Sequence, residues 1–306
     1  MDISWTMLFY DRSDGVRVRN LRAFNAILPY VIRRRNEAAV FFSKDIEVEA
    51  AMAYIRRKNN ESGAESGPSL AAETGMGPGG ERYSLFGVLI AAAVRTIALK
   101  PRLNRFVHCR AVYQRKGISV SFIVKKVLTE AAAEGNAKIR FESGDCIGQA
   151  MEKISAGIES ARGDVPGPDD REFDFVHGIP LGKAAATLCF RLLDRFNAAP
   201  VKMIEADPLF TSVYVANLGS IGLDTPYHHL YEWGSSSIFM VVGRVFQKEM
   251  RKSAGTALKH YVNVKFTVDE RIAEGIYFAH AAALFQRLMT KPETLEMPPD
   301  LSEVET

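Results

Sequence analysis

Cysteine is scarce in this chain of 306 residues: Cys109, Cys146 and Cys189 are widely spaced and form no Cys-x-x-Cys pair. An odd, scattered set argues against a disulfide framework and against a zinc site, and it fits a reducing cytoplasmic setting. Long apolar runs are missing as well. No stretch reaches the roughly 18 uninterrupted apolar residues of a membrane span. The opening Met1-Asp-Ile-Ser-Trp-Thr-Met-Leu-Phe-Tyr10 lacks the basic start and small-residue cleavage site of a signal peptide. Neither secretion nor membrane insertion is expected. An excess of one charge is also lacking, since 39 Lys and Arg face 36 Asp and Glu for a net charge of +3. So mild a balance gives no ground for a nucleic-acid partner. There is no internal repeat.

What remains is an ordinary globular composition, 47% hydrophobic and 25% charged, at a length that suits one α/β domain with insertions. Leu21, Phe24, Ile27, Leu28 and Val31 recur at helical spacing over residues 18–34, with Pro29 inside, and predict an amphipathic helix with a kink or an early end. The following Arg33-Arg-Arg35 reads either as an anion site or as solvated charge at a helix end. Residues 40–48 read as a strand and 49–58 as a short helix. Composition then changes: residues 59–82 hold six glycines and two prolines and predict a loop. Gly75, Gly77 and Gly79 resemble a phosphate fingerprint, but no strand leads into them.

Residues 83–99 predict a buried helix ending before Pro101, followed by a turn at 101–104. Strands are predicted at 110–114, 118–127, 138–141, 211–216, 237–245 and 259–269, with a charged hairpin at 246–257. Further helices are predicted at 144–158, 181–198 and 273–290, and a loop at 161–170. Such alternation with long connections predicts an α/β sandwich on one mixed sheet.

Three stretches near the C-terminus carry a family signature: Val215-Ala-Asn-Leu-Gly-Ser-Ile-Gly222, Ser237-Ile-Phe-Met-Val-Val-Gly-Arg-Val245 and Val268-Asp-Glu-Arg-Ile-Ala-Glu-Gly275. In order and spacing they resemble the acyltransferase catalytic domain of the 2-oxoacid dehydrogenase complexes, whose fold is that of chloramphenicol acetyltransferase. Lys100-Pro-Arg-Leu-Asn104 and the strand-to-helix unit around residues 45–54 agree more weakly. The resemblance runs over about residues 16–292. It implies a single catalytic domain over 1–306, with a Gly-rich loop at 59–82 and a tail at 293–306. Nothing resembles a lipoyl or subunit-binding module.

The resemblance further implies a homotrimer with active sites between subunits, and coenzyme A or its acyl thioester as a small-molecule substrate, without a metal. In the family a histidine in an Asp-His-Arg-x-x-Asp-Gly turn removes a thiol proton, and a Ser or Thr hydroxyl before Asn-Leu-Gly stabilises the oxyanion. Here Glu270 stands at the histidine's place, Ala216 at the hydroxyl's, and Glu274 at the second aspartate's. Asp269, Arg271 and Gly275, architectural in the family, are kept. A carboxylate, with a reference pKa near 4.3, is a weaker base than imidazole by roughly two units. A lost oxyanion donor costs on the order of 10² to 10³ in rate.

A carboxylate in a dry channel can be raised toward neutrality, which keeps Glu270 as a candidate base; the other reading has it paired with a nearby arginine. The pair His228-His229, after the Gly-rich loop that follows Asn-Leu-Gly, is the second candidate for the base, and Asn217 a candidate carbonyl polariser. His108, His177, His260 and His280 show no partner pattern. Two functions are therefore expected in competition. One is a coenzyme A-dependent acyltransferase with an altered base; the other is a degenerate, trimeric acyl-thioester-binding or scaffold protein.

Overall fold

The computed structural model describes residues 11–61, 83–125, 134–163, 182–252, 255–302 and 304. Most of the predicted loop at 59–82 and of the one at 161–170, with His177, lies outside them. The described elements are β1 (Gly15–Arg17), α1 (Ala23–Val31), β2 (Ala39–Glu47), α2 (Glu49–Glu61) and α3 (Leu85–Leu99), then β3 (Arg105–His108), β4 (Ala111–Arg115), β5 (Ile118–Lys125) and β6 (Glu134–Phe141). They continue with α4 (Ile147–Arg162), α5 (Gly182–Arg195), α6 (Val201–Ala206), β7 (Val213–Asn217), β8 (Ile238–Lys252), β9 (Gly255–Asp269) and α7 (Gly275–Thr290).

Six strands form one mixed sheet in the order β2-β9-β8-β7-β5-β6. β7 runs parallel to both β5 and β8, and the remaining pairs are antiparallel. Alternation along the strands divides the side chains between two faces. Val213, Val215, Met240, Val242, Val262 and Val264 point into the main core, where α2, α3, α4 and α7 cover them. Tyr214, Phe239 and Val241 point the other way and pack under Leu230, with Ala216 beside them. The chain is thus an α/β fold with a mixed sheet flanked by helices, as the sequence predicts, except that β1, β4 and β3 form a second, antiparallel sheet where one sheet was expected. α3 is the central helix. Every residue from Leu85 to Ala98 is buried, which its nearly continuous apolar run demands. Ser84 caps it, its Oγ accepting from Gly87 N at 3.1 Å.

Several elements differ from expectation, each for a physical reason. β8 and β9 are 15 residues each and run through the predicted hairpin at 246–257. A two-sided polar ribbon carries no burial signal, yet Lys248 to Asp45 (3.3 Å) and Lys259 to Glu47 tie it to β2 and α2's entry. α1 is shorter than residues 18–34, and its stripe is turned outward: Phe24 is 72% and Val31 71% exposed. Pro29 is the residue of α1 that is buried. The short β1, β3 and α6 are too brief to show a period. A two-residue turn joins β3 to β4, with φ of 46° at Cys109 and 65° at Arg110. The start of the predicted tail is docked: Leu295 is buried, and Arg95 of α3 donates to Thr294 O (3.2 Å) and Met297 O (2.7 Å).

Candidate functional site

β9 ends in the turn that carries the family-like motif. Asp269 and Arg271 are both buried and form a bidentate pair, Nε to Oδ1 at 2.8 Å and Nη2 to Oδ2 at 2.6 Å. Arg271 Nη1 also donates to the carbonyls of Ile32 (3.1 Å) and Arg33 (3.2 Å), which fastens the end of α1 to this turn. Glu270, between them, donates its backbone N–H to Ala38 O at 3.0 Å, while its side chain is exposed. No hydrogen bond or ion pair to its carboxylate occurs among the described residues. The reading in which Glu270 pairs with an arginine is therefore not observed.

Glu274 is engaged instead. It accepts from Asn25 Nδ2 at 2.9 Å and pairs with Arg102 at 3.2 Å, and these partners, Asn25 first, hold its pKa below the usual carboxylate range. It links α1, the turn at Pro101–Asn104 and the start of α7. Gly275 opens α7 with open space around its Cα, so neither φ nor packing requires glycine there.

The second stretch sits on β7. Ala216 is half-buried on the sheet face opposite the main core. Asn217 turns to the loop that follows: Ser220 N donates to its Oδ1 at 3.3 Å and Ser220 Oγ to its carbonyl at 2.8 Å. Gly219 is required where it stands, because a Cβ would lie 2.4 Å from Gly243 O.

Residues 222–237 then cross this face of the sheet. Tyr227 packs edge-on against Phe41, 5.6 Å between ring centroids, and Lys265 Nζ lies over Tyr227 at 4.5 Å. His228 lies flat on Phe239, centroids 3.9 Å apart and planes 8° apart, with His229 stacked at 4.5 Å. Thr267 Oγ1 donates to His228 O. His228 Nδ1 is 2.7 Å from His229 O. Since a carbonyl only accepts, the proton is assigned to Nδ1, which leaves Nε2 with a free lone pair. Burial pushes the His228 pKa below its ordinary value, against the opposing hydrogen bond to the His229 carbonyl. At neutral pH this ring is an uncharged, oriented base.

Strand register measures how far apart the candidates are. Tyr214, Phe239 and Thr267 are level with one another, as are Ala216, Val241 and Lys265. Ala216 is thus two residues, about 7 Å, to one side of His228's level, and Glu270 three residues, about 10 Å, to the other. Glu270 and Ala216 are more than about 15 Å apart within one chain. The fold brings His228, His229 and Ala216 to one face and keeps Glu270 away from Ala216.

Sequence reasoning missed Phe239 and Thr267, which seat the histidine, and the bracket around Arg35. Arg35 is buried and donates to Tyr231 O and to Gly234 O (3.1 Å), while Glu232 accepts from the backbone of Arg35 (3.2 Å) and Asn36 (3.0 Å). It is therefore neither an anion site nor solvated. The alternation of β8 was the signal available for Phe239; nothing local announced Arg35. Among the described residues no three His, Cys, Asp or Glu side chains gather to hold a metal ion, and no helix is long and apolar enough to cross a membrane.

No protein-family description matches the chain, and neither does any curated protein. Solved structures do match. A dihydrolipoamide acetyltransferase of Azotobacter vinelandii superposes with a TM-score of 0.56 at 11% identity, over 92% of this chain and 94% of that one. A probable dihydrolipoamide acetyltransferase of Listeria monocytogenes gives 0.53 at 12% identity, over 90% and 94%. A chloramphenicol acetyltransferase gives 0.50 at 12% identity, over 90% and 98%.

The chain has the chloramphenicol acetyltransferase-like fold.

At these identities the likeness is one of fold, and it is the fold that the residues on β7, on β8 and at the end of β9 predict. Within this chloramphenicol acetyltransferase-like fold, Ala216 and the Asp269–Arg271 turn occupy two separated ends of one sheet face, with the histidine pair between them.

Proposed function

We propose that this protein is an acyltransferase acting on a coenzyme A thioester, with His228 as the base. The observation that carries the reading is the His228 ring, clamped between Phe239 and His229 with its Nδ1 on a carbonyl. In the proposed reaction Nε2 takes the proton of the acceptor, whose freed nucleophile attacks the thioester carbonyl. The tetrahedral intermediate expels the coenzyme A thiolate, which recovers the proton from the imidazolium. His229 acts by stacking. Glu270 supplies a carboxylate at the rim, and Asn217 keeps the loop after β7 in shape. The chain acts as a single catalytic domain.

Ala216 brings no hydroxyl to the oxyanion, so turnover is expected to be slow by roughly 10² to 10³ relative to a site with that donor. The same absence favours a second reading, a degenerate homologue that binds an acyl thioester without turning it over.

A homotrimer suits either reading. α1 exposes Phe24, Ile27, Tyr30 and Val31, and α5 exposes Leu188 and Leu192, an extent of apolar helix surface that association would cover. One structural neighbour, at a TM-score of 0.51, is the cubic core of the pyruvate dehydrogenase multienzyme complex. In such an assembly Glu270 of one subunit would reach the Ala216 face of the next.

The test is release of free thiol from acetyl-coenzyme A by the purified protein. His228→Gln should lower the rate by at least about 10², whereas Glu270→Gln and His229→Ala should change it far less. Unchanged turnover in His228→Gln would sink the assignment. Calorimetric binding of coenzyme A without turnover would favour the second reading, and a monomer by light scattering would remove the trimer.

A further inference from the structure

We propose that a cleft of about 280 Å³ at the β6 end of the sheet is a second ligand site, which takes the phosphate group of a small phosphate monoester. The site stands apart from the histidine pair and does not rest on the acyl-transfer reading. Ser119 lines the cleft and accepts from Ser212 N at 3.0 Å, and Ala216 lies four residues further along β7, about 13 Å away.

Four cations border the cleft: Arg115, Lys116, Lys138 and Arg140. Two carboxylates accompany them, and both are engaged by arginines, which leaves Lys138 without a carboxylate partner among the described residues. Asp14 is held by Arg12 at 2.8 Å, and Glu205 reaches Arg140 at 3.6 Å on the exposed rim. Arg115 is buried, with Nη2 on Ser235 O and Oγ, both at 2.9 Å, and Nη1 3.6 Å from Asp14.

Lys138 is the decisive residue. Its ammonium donates to Ile204 O (2.7 Å) and Asp207 O (2.9 Å), and no carboxylate pairs with it among the described residues. Asp207's own carboxylate is taken by Leu209 N at 2.8 Å and by Trp233 Nε1 at 2.6 Å. Burial, and then the like charge of Arg115, push the Lys138 pKa down to about 8. An ammonium has three donors, and two carbonyls leave one unused. Two cations held close by packing, one with a spare donor, form a site that an anion completes.

Arginine forks and lysine points together suit a phosphate's oxygens. The volume exceeds what a bare phosphate fills. Val201, Ile204 and Phe210 supply an apolar wall for the organic part of an ester.

The experiment titrates the full chain calorimetrically with inorganic phosphate and with phenyl phosphate at fixed ionic strength. Wild type is compared with Lys138→Gln and with the double variant Lys116→Gln/Arg140→Gln. Arg140 lies on the rim and Lys116 gives up one hydrogen bond, Nζ to Arg12 O at 3.0 Å, so the double variant should stay folded with a melting temperature close to the wild-type value. Phenyl phosphate is expected to bind more tightly than inorganic phosphate, and each variant to bind it about tenfold more weakly or worse. Equal affinity for the two ligands would overturn the monoester and leave a free-phosphate site. No binding of either ligand at about 10 mM, or equal binding in wild type and both variants, would overturn the site itself.

Discussion

Removing one partner of the Asp269–Arg271 pair should cost a large share of this protein's stability, and removing both should cost much less than the sum. Asp269 is 0% and Arg271 4% exposed, so neither charge can be rescued by water. In Asp269→Asn the guanidinium keeps its bonds to Ile32 O and Arg33 O but loses its counter-charge. In Arg271→Met the carboxylate keeps one backbone donor, Arg271 N at 3.1 Å, and loses its bidentate partner, leaving the buried Arg35 as the nearby positive charge. Breaking a buried pair from one side typically costs about 3–5 kcal/mol. A domain of ordinary stability has about 5–15 kcal/mol in total, so each single variant loses about a fifth or more.

The double variant Asp269→Asn/Arg271→Met removes both charges of the pair together, and the two effects should overlap by at least about 2 kcal/mol. Urea unfolding followed by tryptophan fluorescence measures this, since a loss of about 4 kcal/mol shifts the midpoint by roughly 1.5–2 M at an m of 2–2.5 kcal/mol/M. Single variants within about 1 kcal/mol of wild type, or strictly additive losses, would refute the view that this turn survives as architecture.

The rate of thiol release should fall on the acid side through a pKa below the ordinary histidine value near 6.5, because the burial that keeps His228 neutral delays its protonation; an acid limb above pH 6.5 would contradict it. Stability has its own acid limb. His108 beside Asp194 is pushed down to about 4, by burial first and by Arg12 next, so its contribution is complete above the unfolded value near 6.5 and is lost as pH falls toward 4. That loss amounts to about 3 kcal/mol. His108→Gln should flatten the urea midpoint between pH 6.5 and 4, and an unchanged slope would assign it to other groups. Gly219→Ala should destabilise by about 1–3 kcal/mol, since its Cβ meets backbone that cannot give way. Gly275→Ala should be neutral or stabilising by up to about 1 kcal/mol; paired thermal melts of the two variants check both.

Local chemistry made much of the fold legible. The apolar run of α3 read as a buried helix, and the sequence of strand-like and helix-like stretches announced a mixed sheet. The stretches on β7 and at the end of β9 named the architecture from a few residues, because a glycine in backbone contact and a buried ion pair tolerate little change. Where burial gives no signal, the reading was weaker. The polar ribbon of β8 and β9 was legible as a hairpin but not as two 15-residue strands, and the stripe of α1 looked like a core face although it faces outward.

The opening of α7 shows both sides of this. The sequence by itself determined that Asp269, Glu270 and Arg271 form a turn between strand and helix, and its resemblance to the acyltransferase family implied that Glu270 and Ala216 stand where a histidine and a hydroxyl are expected. The surroundings of the histidine pair were decided by tertiary structure alone. His228 owes its state to Phe239, eleven residues on, to a carbonyl of its own loop, and to Thr267 of another strand. An imidazole's pKa and tautomer depend on what surrounds the ring, and those neighbours become neighbours only when β8 and β9 pair beneath the loop.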